Sequence, residues 1–272
     1  MDHAAQFRQD GYVIVRQLFT PEEVADMRKR AQALPEDERF LDLLSLPTLR
    51  GVLLNERLLE VFRSLIGDDL VYYGDSSVSI DSLAHGFHKD NPDRNDPNGP
   101  DWKGDYPLVR CGIYTQSHKG QPNGLDLRRG SHELTSLQEG EHLQADTEPG
   151  DVVFWNGRTT HSGFGITVRG RPIDPESLVG KVLWRFPMLR DKPKAQRVVL
   201  FASFAAPGAH LERFVTALKS REYGVKRALE ARHDEEVLEA AKAAGITVRD
   251  MKWEVTENPF HTVRKDHWQL PY

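Results

Sequence analysis

Leu70-Val71-Tyr72-Tyr73 opens the part of the chain whose reading decides the fold. From there to Phe204 the sequence falls into short runs rich in β-branched and aromatic residues, set off by turn chemistry. Residues 108–116, 124–127, 151–155, 182–186 and 198–204 all read as strands. Helical signals precede this block. A short helix leads into a strand, Tyr12-Val13-Ile14-Val15. In Thr20-Pro21-Glu22-Glu23, Thr is an N-cap, Pro takes the first helical position and Glu23 closes a capping box. The helix that follows carries Val24, Met27 and Ala31 at helical spacing and turns a basic face to solvent. A second helix over 56–66 ends at Gly67. Behind the block, 210–244 reads as helical. The tail from Met251 holds Trp253, Phe260, Trp268 and Tyr272, aromatics expected to dock on the domain. Helices, then many strands, then helices predict a mainly β fold with flanking helices, a sandwich or barrel with helical layers outside it.

Within that frame one tripeptide carries chemistry. His88-Lys89-Asp90 places an imidazole and a carboxylate two residues apart, hence on one face of an extended strand. His161, six residues beyond the strand-like run Asp151-Val152-Val153-Phe154-Trp155, can supply a third donor. Two histidines and one carboxylate with open positions suit non-haem Fe(II) oxygen chemistry. The pattern His-x-acid also occurs at His210 and His233, in segments that read as helical, where positions i and i+2 do not face each other. The plain alternatives are a solvated loop histidine at 88 and a structural hydrogen-bonder at 161. Activating O2 would also need a two-electron donor. A 2-oxo diacid fits, chelating through its keto acid while a planar guanidinium pairs its far carboxylate. Arg197 leads the apolar run Val198-Val199-Leu200-Phe201 and is the candidate; Arg171 and Arg169 are loop-borne rivals. The polar stretch 89–107, with Lys89, Asn91, Trp102 and Lys103, reads as a lid or specificity wall, and its polarity hints at a small polar or anionic substrate. A second inserted loop is expected over 169–179.

Whole-chain properties narrow the class. A length of 272 residues allows a single β domain, here 1–272 with a core at about 70–207, a helical layer at 1–69 and a helical extension at 208–272. A formal charge of −5 gives no general attraction to nucleic acid or anionic membrane. The lone Cys111 excludes an intramolecular disulfide. No secretory signal and no apolar stretch long enough to span a bilayer is visible, so a cytoplasmic protein is expected.

Several separated stretches together resemble the phytanoyl-CoA dioxygenase family of Fe(II)/2-oxoglutarate oxygenases. They are Phe7-Arg8-Gln9-Asp10-Gly11-Tyr12-Val13-Ile14-Val15, Phe19-Thr20-Pro21-Glu22-Glu23-Val24, His88-Lys89-Asp90, the run from Asn123 to Gly130-Ser131-His132, Gly150-Asp151 through His161-Ser162-Gly163, and Gln196-Arg197-Val198. The likeness spans roughly residues 5–207. It implies a double-stranded β-helix, also called a jelly roll and cupin-like, with His88, Asp90 and His161 binding Fe(II), Arg197 holding 2-oxoglutarate, and Tyr114 as a weaker candidate for the same carboxylate. His132 would be structural. Because Asp90 is present, hydroxylation of an unactivated C–H bond of a small metabolite is implied; halogenating relatives lack this carboxylate. Two departures stand out. Arg197 lies 36 residues beyond His161, farther than the family's arginine usually does, and Arg171 fits that spacing better. Arg128-Arg129 replaces more apolar residues and reads as surface. The alternatives are a cupin-like binder without turnover, a zinc hydrolase, and an oxygenase acting on a macromolecule. The expected partner is a small molecule, with no nucleic acid or membrane, and the chain is expected to be a monomer or homodimer.

Overall fold

The computed structural model describes residues 2–81 and 86–260. In chain order the strands are β1 (Tyr12–Val15), β2 (Leu70–Tyr72), β3 (Ser76–Ile80), β4 (Leu108–Tyr114), β5 (Asp126–Arg129), β6 (Glu141–Gln144), β7 (Val152–Asn156), β8 (His161–Ser162), β9 (Ile166–Val168), β10 (Arg171–Ile173), β11 (Val198–Ala205) and β12 (Ile246–Val248). The large sheet runs β1-β7-β4-β11-β2-β12, and β3 also pairs with β11. A smaller sheet, β6-β5-β8, is extended by an antiparallel bridge between His88 and His161. Apart from the parallel pair β12–β2, the pairings are antiparallel. Two facing sheets with helices outside form the jelly roll.

Strand alternation sorts the side chains of the large sheet onto two faces. Val109, Cys111 and Ile113 of β4, Val152 and Phe154 of β7, and Val198, Leu200, Ala202 and Phe204 of β11 join the outer core under the helices. Phe62, on the helix Glu56–Ile66, packs on Phe154 and Phe204 with ring centroids 5.1 and 4.7 Å apart. Fully burying one such ring contributes roughly 1.5–3 kcal/mol. The other face carries Tyr114, Val153, Trp155 and Val199 toward Leu125 and Leu127 of the small sheet. Gly112 sits on that inner face; a side chain there would crowd Tyr114, Phe201 and Trp155, so its absence keeps space open between the sheets.

The helix Pro21–Ala33 starts at Thr20 with the full reciprocal capping box, and Glu56–Ile66 ends at Gly67. Elsewhere the sequence reading is corrected. Residues 182–186 are no strand but the end of the helix Leu178–Arg185, capped by Ser177. Apolar residues at 178, 179, 182, 183 and 186 follow helical spacing, which their β-prone composition had masked. The insertion at 169–179 is no open loop. It begins as the hairpin β9–β10, turned by Arg169 and Gly170, both at positive φ, and runs into that helix. His233 lies outside any helix and bonds Asp42. Strands β1 and β12, drawn from the segments flanking the central block, complete the large sheet. In the tail it is Met251 and Glu254 that are buried, the latter paired with Lys219 at 2.8 Å, while Trp253 and Phe260 are exposed. Trp268 and Tyr272 lie outside the described residues. Among the described residues no helix is long and apolar enough to cross a membrane.

Candidate metal centre and its cavity

The bridge between His88 and His161 is the local device that builds the site. Each residue donates its N–H to the other's carbonyl at 2.9 Å, which brings two rings from distant parts of the chain to a centroid separation of 4.2 Å. Asp90, two residues on, then faces the same side. Its carboxylate lies 3.9 Å from His88 Nε2 and 3.6 Å from His161 Nε2, and one donor atom from each of the three falls within 4.8 Å of the others. Both Nδ1 atoms are engaged behind the site, His88 with the Gly86 carbonyl at 3.2 Å and His161 with that of Thr159 at 3.0 Å. Those carbonyls select the Nδ1–H tautomer and leave Nε2 as the lone-pair atom on the side of Asp90.

Electrostatics prepare the same state. Burial, reinforced by His88, pushes the His161 pKa down to about 3. Burial also lowers His88, against the pull of Asp90. Burial alone would raise Asp90, but His161, Arg110, His88 and Arg94 outweigh it and bring the carboxyl to about 2. At neutral pH the trio is therefore two neutral imidazoles and one carboxylate, the protonation state a divalent metal requires. These residues fit an iron site in donor type, tautomer and charge.

They open into a cavity of about 600 Å³ between the sheets. Arg197, at the start of β11, also lines it. Its Nε donates to the Asn123 carbonyl and its Nη1 to Ser79 Oγ, both at 3.1 Å, and its guanidinium lies 5.7 Å from the Tyr114 ring centre. Tyr114 is fully buried; burial raises its pKa and Arg197 partly offsets the rise. Its hydroxyl lies beside the Arg197 guanidinium, which favours the ionised form. Arg171, by contrast, is exposed on β10 and does not line the cavity.

The stretch 89–107 behaves differently from a mobile lid. Asp93 and Asp101 cap each other's backbone N–H at 2.9 and 3.1 Å, and Arg213 pairs with both carboxylates. Lys89 points away from the two residues beside it, is fully buried, and donates to the carbonyls of Ser131 and Arg158 at 2.6 and 2.7 Å. Burial, with Arg158 nearby, draws its pKa down to about 7. Asn91 is buried outside the cavity lining, Trp102 donates its indole N–H to Asp93 O, and Lys103 is exposed. Asn91, Trp102 and Lys103, read from the sequence as a substrate wall, are thus not among the residues that line this cavity. Arg94 is the residue of the stretch that does reach the cavity, beyond Lys89 and Asp90 themselves. Arg128 is buried against Phe87 and paired with Asp174, not a surface residue, while Arg129 is exposed. His132 bonds the Arg8 carbonyl at 3.0 Å, away from the site.

Cavity residues that the sequence reading passed over include Asp75, Arg110 and Arg227. Arg110 could have been found by the reasoning applied to Arg197: it is a lone cation in an apolar strand, two and four positions from Gly112 and Tyr114 on the inner face.

Fold and site together define a jelly-roll metalloenzyme with a facial two-histidine, one-carboxylate set. The family model for phytanoyl-CoA dioxygenase (PhyH) matches residues 7–171, more than half of the chain, and the chain belongs to that family. It is a non-haem iron, 2-oxoglutarate-dependent oxygenase, with O2 as the second co-substrate. No curated protein matches it. Among solved structures, the non-haem epimerase SnoN from nogalamycin biosynthesis aligns at TM-score 0.54 and 18% identity, covering 75% of this chain and 79% of that one. HygX from Streptomyces hygroscopicus, with nickel and 2-oxoglutarate bound, aligns at 0.54 and 16%, covering 75% and 86%. EctD from S. alaskensis with bound Fe aligns at 0.52 and 16%, covering 75% of each. At these identities the likeness is one of fold.

Proposed function

We propose that His88, Asp90 and His161 bind Fe(II), that Arg197 holds the far carboxylate of 2-oxoglutarate beside Tyr114, and that the enzyme hydroxylates an unactivated C–H bond of a small polar metabolite. The convergence of three donor atoms within 4.8 Å, in a cavity that also contains Arg197, supports this reading. When bound, iron and 2-oxoglutarate supply the chemistry that turns O2 on a C–H bond. The chain's own part is placement. The Gly86 and Thr159 carbonyls hold the imidazoles in the ligating tautomer. Asn123 and Ser79 fix the plane of the Arg197 fork, so that a carboxylate meets a preorganised partner. Trp155, with its ring 5.2 Å from that of His161, presents an apolar wall to the cavity beside the centre. A cavity of this volume suits a small molecule alongside the co-substrate.

The test is succinate release. Protein loaded anaerobically with Fe(II) and 2-oxoglutarate should form succinate when O2 is admitted, and Asp90→Ala should abolish it. An Asp90→Ala protein that turns over at the wild-type rate would refute the assignment, and zinc in place of iron in the purified protein would favour a hydrolase.

A further inference from the structure

Among the described residues, six arginines and three carboxylates, Glu36, Asp75 and Asp90, line the cavity. Arg110 lines it from strand β4. It lies on β4 opposite Trp155 of β7 and Ser203 of β11. Its charge acts on Asp90, His88 and His161 alike. Its guanidinium stands 5.1 Å from the centre of the Phe201 ring, and that of Arg197 stands 5.9 Å from the same ring. The inner face thus carries two cationic poles against one aromatic ring, where 2-oxoglutarate needs one.

Asp75 and Asp90 both stabilise the charge of Arg110, but neither serves it alone, Asp90 being assigned to the metal. Asp75 accepts from its Nη1 at 3.0 Å, but Asp75 also accepts from Ser203 Oγ at 2.8 Å and pairs with Arg227 at 3.5 Å. One carboxylate therefore serves two guanidinium groups. Arg110 has five N–H donors, and among the described residues Asp75 is its sole hydrogen-bond acceptor. A fixed cation with spare donors on a partly desolvated wall attracts an anion, and a planar fork selects one with two oxygens.

Building on the iron and 2-oxoglutarate reading above, we propose that the substrate carries an oxyanion group, a carboxylate or a phosphate, and that Arg110, with Arg227 beside it, binds that group next to the metal centre. This pole anchors the anionic end of the substrate and so fixes which C–H bond is presented.

The experiment uses full-length protein loaded with redox-inert Ni(II). Calorimetric titration with 2-oxoglutarate comes first; absence of binding would refute the co-substrate reading and this inference with it. Phenyl phosphate, benzoate and neutral benzamide are then titrated into the protein saturated with 2-oxoglutarate. At least one anion should bind tenfold or more tightly than benzamide without displacing 2-oxoglutarate, and the better of the two identifies the group. Arg110→Gln should weaken that anion at least tenfold, and Arg110→Lys should recover part of the loss. If Arg110→Gln does not fold, as judged by circular dichroism, Arg227→Gln replaces it with the same expectation. Equal binding of all three probes, displacement of 2-oxoglutarate, or an unchanged affinity in the folded variant would overturn the proposal.

Discussion

Lowering the pH from 7.5 to 5.0 should weaken metal binding far less than an ordinary two-histidine site allows. A metal competes with protons for imidazole, and a histidine of ordinary pKa near 6.5 loses about 30-fold in apparent affinity at pH 5. Two such ligands lose about 900-fold. Here burial holds His161 at about 3, so it is already deprotonated at pH 5 and contributes almost nothing to the loss. His88 is lowered as well, which keeps its share below that of an ordinary histidine, and Asp90, at about 2, stays ionised. The whole loss should stay under about 30-fold. The same shift acts on stability, with a definite sign. The unfolded chain protonates His161 below about 6.5 and the folded chain does not, so metal-free protein loses about 2 kcal/mol through this residue by pH 5. Circular dichroism must therefore show the protein folded at both pH values. Competition for Ni(II) against a fluorescent chelator, corrected for the chelator's own protonation, gives the ratio. A loss near a thousandfold in folded protein would refute the argument that the site is preset in its metal-ready state.

Other perturbations test separate parts of the argument. Arg197→Gln should raise the 2-oxoglutarate dissociation constant of Ni(II)-loaded protein by about 30-fold or more, the range for truncating one partner of a buried charge pair, whereas Arg171→Gln should leave it unchanged; the reverse result would move the role to Arg171. Asp42 is buried and accepts from the backbone of Leu44 and Ser45, from Ser45 Oγ, from the Tyr72 hydroxyl and from His233. Asp42→Ala should cost about 3–5 kcal/mol in urea unfolding, and a cost under about 1 kcal/mol would show that the cluster does not hold the Tyr72 strand to the helical layer. Lys89→Met strands two carbonyls that now receive the ammonium. It should lower stability by about 2 kcal/mol or more, and an unchanged melting temperature would show that the ammonium is not what pins this strand.

The jelly roll was legible because β4, β7 and β11 are short apolar runs rich in β-branched and aromatic residues, and because the order of helices and strands leaves few architectures. The metal centre was legible because strand periodicity alone places His88 and Asp90 on one face, and a single upstream pair gave His161 a partner. What escaped has a common cause. The helix Leu178–Arg185 is built from β-prone residues, so composition concealed a helical spacing. The placement of Asn91, Trp102 and Lys103 away from the cavity lining depends on how Asp93 and Asp101 fold the stretch back on itself, and on Arg213 more than a hundred residues away. Arg110 and Asp75 belong to no motif, and their meeting is created by strand register.

The order of the large sheet has a practical consequence for anyone seeking a minimal catalytic fragment. Its two margins are closed by β1, from residues 12–15, and β12, from residues 246–248. Cutting the gene back to the central strands would strip both margins, leaving β7 and β2 with open rows of amide and carbonyl groups above an apolar face. Such margins recruit further copies of themselves, so the trimmed polypeptide should appear as insoluble aggregate, not as a smaller enzyme.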